Sequence, residues 1–102
     1  MPEEIRERLH QLFDRTAQDP AWRSYFYLDA GDRVLNEVTI MKEDGTECRP
    51  DRIVFKPDHV MIIDYKTGRE YKEKYEEQLA EYQQCLMDMG YQDVRTGILY
   101  ID

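Results

Sequence analysis

The run His59-Val60-Met61-Ile62-Ile63-Asp64-Tyr65-Lys66 constrains this chain more than any other stretch. It is apolar almost throughout, the pattern of a strand covered on both faces near the middle of a sheet. Turn signals bound it, Pro57-Asp58 before and Thr67-Gly68 after. Yet the run carries Asp64 and Lys66. A charge buried in such a strand costs stability unless it is paired or binds a metal, so the two charged residues need a reason to be there.

The flanking sequence supplies the rest of a fold. Val34 to Lys42 and Glu47 to Lys56 read as two earlier strands, joined at the hairpin signal Asp44-Gly45. Ahead of them, residues 3 to 18 read as a helix, with Ile5, Leu9, Leu12 and Phe13 at helical spacing. Asp19-Pro20 breaks that helix, and the aromatic segment Ala21 to Leu28 follows as a short helix packed on the core. After the central strand, residues 71 to 89 carry Tyr75, Leu79, Tyr82, Leu86 and Met89 as a stripe on one helix face, with Gly90 placed to end it. Val94 to Ile101 reads as a last strand. Helix, three strands, helix, strand is the order of an α/β sandwich, a mixed sheet flanked by helices. At 102 residues the chain is one domain, with a helical part over 1–32 and a core over 33–102.

Composition narrows the function. No apolar run approaches the ~20 residues of a membrane helix. Cys48 and Cys85 have no metal-ligand spacing and read as the reduced thiols of a cytoplasmic protein. The formal net charge of -8 opposes nucleic-acid binding, because phosphate contacts come from Lys and Arg. Much of that acid, however, falls on Glu3 to Asp14 and Glu70 to Glu81, which read as solvated helix faces.

Asp64 and Lys66 lie two apart on one strand, so their side chains share a face. If the turn is symmetric about Pro57-Asp58, Asp51 falls directly opposite Asp64. Opposed carboxylates repel unless a cation lies between them or one is protonated. A hard divalent ion, Mg²⁺ or Mn²⁺, suits such oxygen ligands. Lys66 beside it could stabilise an anionic transition state, a set suited to phosphodiester hydrolysis. The alternative is a plain Asp64–Lys66 salt bridge at a strand end. Glu37 is the candidate third acid. A two-residue Asp44-Gly45 turn pairs it with Arg52, facing away from Asp51. A three-residue loop with a glycine bulge pairs it with Ile53, facing the same side.

Arg49-Pro50-Asp51, then Asp64-Tyr65-Lys66-Thr67, then Gln78 and Tyr82 four apart on a helix resemble the motifs of the PD-(D/E)XK nuclease superfamily. More narrowly they resemble its RecB-like branch, the nuclease domain at the C-terminus of UvrD/RecB/AddA-type helicase-nucleases. One departure is Arg49, where that branch usually has glycine two residues before the first acid. The resemblance spans roughly residues 34 to 101 and implies an αβββαβ restriction-endonuclease-like core. It implies Asp51 and Asp64 as metal ligands, with the Tyr65 backbone carbonyl as a further one and Glu37 as a candidate. It implies Lys66 as the catalytic lysine, and Gln78 and Tyr82 near the active site and the DNA path. Tyr82 has a plainer reading as a core residue of the helix stripe. His10, on a charged helix, reads as solvated rather than as the early histidine of some relatives. Two cysteines are too few for the iron–sulfur cluster of others, so none is expected.

The resemblance also makes this chain a C-terminal piece of a larger helicase-like protein, whose remainder would be its partner and carry the basic DNA-binding surface. Metal-dependent DNA hydrolysis of an exonuclease type, in recombination or repair, is the leading expectation. The rival is an inactive module of the same fold that binds DNA or serves as a scaffold.

Overall fold

A computed structural model describes residues 3–68 and 71–100 of the chain. The order is α1 (Glu3–Ala17), α2 (Pro20–Phe26), β1 (Arg33–Asn36), β2 (Ile40–Met41), β3 (Glu47–Cys48), β4 (Arg52–Phe55), β5 (Val60–Lys66), α3 (Lys72–Asp88) and β6 (Val94–Tyr100). The main sheet runs β1-β4-β5-β6. The first two pairings are antiparallel and β5–β6 is parallel, as a strand–helix–strand crossover through α3 requires. This is the mixed sheet flanked by helices that the element order predicts.

Period-two alternation along β5 separates two cores. Ile62 points to one side, where it joins Ile53, Val60, Leu79, Tyr82, Leu86 and Val94 under α3. Met61 and Ile63 point to the other, joining Leu12, Tyr25, Val54 and Leu99 beneath α1 and α2. The strand is therefore covered on both faces. Cys48 and Cys85 lie buried in the α3-side core as free thiols. Burial, with Cys85 alongside, pushes the Cys48 thiol up to about 11.

Local chemistry fixes the helices. Glu3 and Glu4 occupy the first turn of α1 and Arg15 its last, matching the helix dipole. Leu12 is buried, while the side chains of Ile5, Leu9 and Phe13 lie outside the described residues. The Asp19 carboxylate accepts the Ala21 N–H at 2.9 Å and Pro20 follows, a capped start for α2. Arg52 ties the other end of α2 to the sheet. Its Nε and Nη2 donate to the Tyr25 carbonyl at 3.2 and 3.0 Å, and its guanidinium lies 4.9 Å from the Phe26 ring centre.

Trp22 of α2 seats on Gly97 of β6. A Cβ at Gly97 would lie 2.5 Å from Trp22 Cη2 and 2.8 Å from Met61 Cε. The Met61 methyl can move, but the indole is wedged between helix and sheet. Gly97→Val is therefore expected to destabilise the fold by about 1–3 kcal/mol. Thermal unfolding checks this, and an unchanged midpoint would show that α2 is not seated on β6.

The long hairpin differs from the sequence reading in two respects. Both arms break, at residues 37–39 and 49–51, so that β2 and β3 form their own small sheet. Glu37 sits at φ 53°, a left-handed conformation that is uncommon outside glycine and ends the strand. Pro50, fully buried and without an N–H, interrupts the facing arm. The loop is also shifted. Lys42 and Thr46 pair at 2.8 Å around Glu43-Asp44-Gly45, with Gly45 at φ 90°. Leu35 consequently faces Ile53 and Asn36 faces Arg52. Glu37 pairs with neither Arg52 nor Ile53; its N–H donates to the Asp51 carbonyl at 2.9 Å.

Candidate active site

The β4–β5 register is the one that a symmetric Pro57-Asp58 turn demands. Arg52 faces Ile63, Ile53 faces Ile62, and the Lys56 N–H closes on the His59 carbonyl at 2.8 Å. One step beyond the last regular pair, Asp51 meets Asp64. The Asp51 N–H donates to Asp64 Oδ1 at 2.9 Å, and the Tyr65 N–H donates to Asp51 Oδ2 at 2.9 Å. Each carboxylate thus takes a backbone donor from the other's strand. Side chains continue the ladder where the backbone no longer pairs, and this clasp fixes both acids at the sheet's end.

Asp64 is only 2% exposed. Burial pushes its carboxyl above the usual range. The Asp51 N–H opposes that rise, the Asp51 charge adds to it, and Lys66 opposes it. Lys66 Nζ lies 3.5 Å from Asp64 Oδ2 and donates to Gln78 Oε1 at 2.8 Å. Its side chain is 20% exposed, so the ammonium is held in place yet reachable. The Tyr75 ring centre lies 4.9 Å from the same nitrogen. Strand and helix meet here because Asp64 and Lys66 share the Ile62 face of β5, against which α3 packs.

The structure therefore brings Asp51, Asp64, Lys66 and Gln78 together. Tyr82 is buried in the α3-side core. Burial raises its hydroxyl's pKa and the Asp64 charge adds to the rise, so it is a core residue that senses the acid pair. The Tyr65 side chain packs on the opposite face, where burial pushes its phenol up to about 12, and its backbone meets the site through the N–H bond to Asp51. Glu37 reaches Asp51 through its own N–H, and its side chain is exposed. Among the described residues, no three His, Cys, Asp or Glu side chains form a group able to hold a metal. His10 is exposed on α1, away from these residues in the sequence and the sheet.

Sequence reasoning gave Tyr75 to the apolar stripe and passed over Tyr71; both belong to the edge of this site. A signal existed, since Tyr71, Tyr75 and Gln78 follow the lysine strand at helical spacing. A second polar cluster lies at the other end of β4 and β5. Tyr25 Oη meets His59 Nε2 at 2.7 Å, and Lys56 Nζ meets Asp32 at 2.6 Å. It closes the turn end of the sheet and is separate from the acid pair.

A paired-carboxylate clasp beside a tethered lysine, at the end of a mixed sheet, offers oxygen donors suited to a hard cation next to a fixed positive charge. A family model of the PD-(D/E)XK nuclease superfamily matches residues 2–102. The chain belongs to that superfamily, whose members are mostly nucleases that use divalent metals such as Mg²⁺. No curated protein and no solved structure gives a significant match. No helix among the described residues is long and apolar enough to cross a membrane.

Proposed function

We propose that the chain is the nuclease domain of a RecB-like helicase-nuclease, a Mg²⁺- or Mn²⁺-dependent deoxyribonuclease of exonuclease type. It would act in the cytoplasm on DNA in recombination or repair, alongside a helicase portion of the same parent chain. One observation carries the reading: Lys66 donates to Gln78. That bond joins the lysine of the Asp64-Tyr65-Lys66-Thr67 stretch to the first residue of the Gln78–Tyr82 pair, two of the motifs that resemble the RecB-like branch.

The donor set fits a hard divalent ion. Asp51 and Asp64 are oxygen donors held rigidly together, and burial together with the neighbouring Asp51 charge makes Asp64 costly to ionise without a cation. Mg²⁺ commonly binds through one or two carboxylates plus substrate phosphates. Asp51 and Asp64 would hold it, with the Tyr65 carbonyl and Glu37 as further candidates. The ion would polarise a phosphoryl oxygen and lower the pKa of a bound water.

The chain's own residues do the rest. The clasp holds the acids in place and Gln78 aims the Lys66 ammonium. Water's oxygen bonds to phosphorus as it gives up a proton to solvent, the P–O ester bond breaks, and the leaving oxygen takes up a proton from solvent. Lys66 stabilises the charge that grows on the phosphoryl oxygens as this happens. Tyr82 supports the acid pair from the core side.

The test is incubation of single- and double-stranded DNA with the chain and Mn²⁺. Progressive loss of labelled ends, abolished by EDTA, is the expected result. One observation favours a second reading, an inactive DNA-binding module: no third acid joins the pair among the described residues. Tight DNA binding without cleavage in Mn²⁺ would establish that module instead.

A further inference from the structure

Beside Lys66 the surface turns aromatic. Tyr75, half-buried, lies 4.9 Å from the lysine nitrogen, and Tyr71 meets Tyr75 edge to face at 6.4 Å between ring centres, 66° between planes. Tyr71 is 56% exposed. It also lines an open concavity of about 500 Å³ with Lys72, Glu73, Lys74 and Glu77. A single exposed aromatic ring on a protein surface is ordinary. This one is joined through Tyr75 to the ammonium of the candidate site, and two lysines stand beside it.

We propose that Tyr71, backed by Tyr75, is a stacking platform for an unpaired base beside the Lys66 site. The inference rests on reading the Lys66 site as the place where a phosphodiester lies. Base faces within a duplex are already stacked on their neighbours, so away from duplex ends only an unpaired base can offer one to Tyr71. Two lysines and two glutamates line the concavity and nearly cancel. With the chain at -8 overall, stacking rather than phosphate attraction supplies the affinity.

The experiment is fluorescence anisotropy of a labelled oligothymidylate of about 16 nucleotides, and of a blunt duplex of the same length, titrated with the full chain in EDTA. Tyr71→Ala is expected to weaken oligothymidylate binding roughly tenfold. Tyr71→Trp keeps the affinity, and duplex binding does not move. Loss below twofold in Tyr71→Ala, equal loss on both ligands, or no oligothymidylate binding by the wild type overturns the platform. Binding in EDTA needs no turnover, which separates this proposal from the nuclease reading. A chain that binds through Tyr71 but never cuts with Mn²⁺ refutes the nuclease alone. A chain whose KM for oligothymidylate is unmoved by Tyr71→Ala refutes the platform alone.

Discussion

Lys66→Ala is expected to lower Mn²⁺-dependent DNA cleavage by at least about 100-fold while the chain stays folded. Removing one preorganised group that stabilises transition-state charge typically costs 10²–10³ in rate. The side chain is one-fifth exposed, and its ammonium meets Gln78 at 2.8 Å, Asp64 at 3.5 Å and the Tyr75 ring at 4.9 Å, so what is lost is mainly polar contact. Gln78 can turn to water when the lysine is gone. Asp64 cannot, because it is buried, so some stability is lost as well. Gln78→Ala separates aiming from charge. It leaves the ammonium in place but untethered, and the rate should fall by less than in Lys66→Ala. Rates come from gel-resolved cleavage, and the fold from circular dichroism. If Lys66→Ala cuts DNA at the wild-type rate, the lysine has no part in the chemistry.

Much of this site was legible because it depends on parity and on one short turn. The two-residue period of a strand put Asp64 and Lys66 on one face of β5, the face of Ile62. A turn symmetric about Pro57-Asp58 gives the register that places Asp51 against Asp64, and the structure has that register. The resemblance implied Gln78 near the active site, and the structure brings its Oε1 within 2.8 Å of Lys66 Nζ. What stayed hidden had no period to betray it. Glu37 takes a left-handed backbone that no local signal marks in a non-glycine residue, and the hairpin breaks there. The Asp44-Gly45 pair announces a turn but not its edges; Asp44 Oδ1 accepts both the N–H and the hydroxyl of Thr46, which places the loop one residue earlier. Tyr75 lies on the apolar stripe, and spacing alone does not tell a ring that fills a core from one that faces an ammonium. Arg52, read only as a possible partner of Glu37, anchors α2 instead.

Asp64→Asn should abolish cleavage and yet stabilise the chain in EDTA. The folded protein raises the Asp64 carboxyl above its unfolded value, chiefly by burial. Stability from such a group is greatest below the unfolded pKa and falls as pH rises through the folded pKa, so wherever Asp64 is ionised in the folded chain its charge works against the fold. An amide removes that charge, still accepts the Asp51 N–H at its oxygen, and ends the repulsion with Asp51. A gain of ~1 kcal/mol would raise the midpoint by about 4–8 °C in a domain of this size. The advantage should shrink as pH is lowered through the folded pKa, because the wild-type acid then becomes neutral too. Mn²⁺ should reverse the order. An ion held by Asp51 and Asp64 stabilises only the chain that can bind it, by about 2.7 kcal/mol at a hundredfold excess over Kd. The wild type should therefore overtake Asp64→Asn in Mn²⁺ and fall behind it in EDTA. Lys66→Ala provides the cross-check. Its stability loss comes from stranding the Asp64 charge, so it should largely vanish in the Asp64→Asn background. Thermal scans of the four proteins in EDTA and in Mn²⁺ give the whole comparison without any DNA. If Asp64→Asn is already less stable than the wild type in EDTA, the carboxylate is a structural partner of Lys66; if Mn²⁺ stabilises the wild type no more than it stabilises Asp64→Asn, the metal-binding role falls.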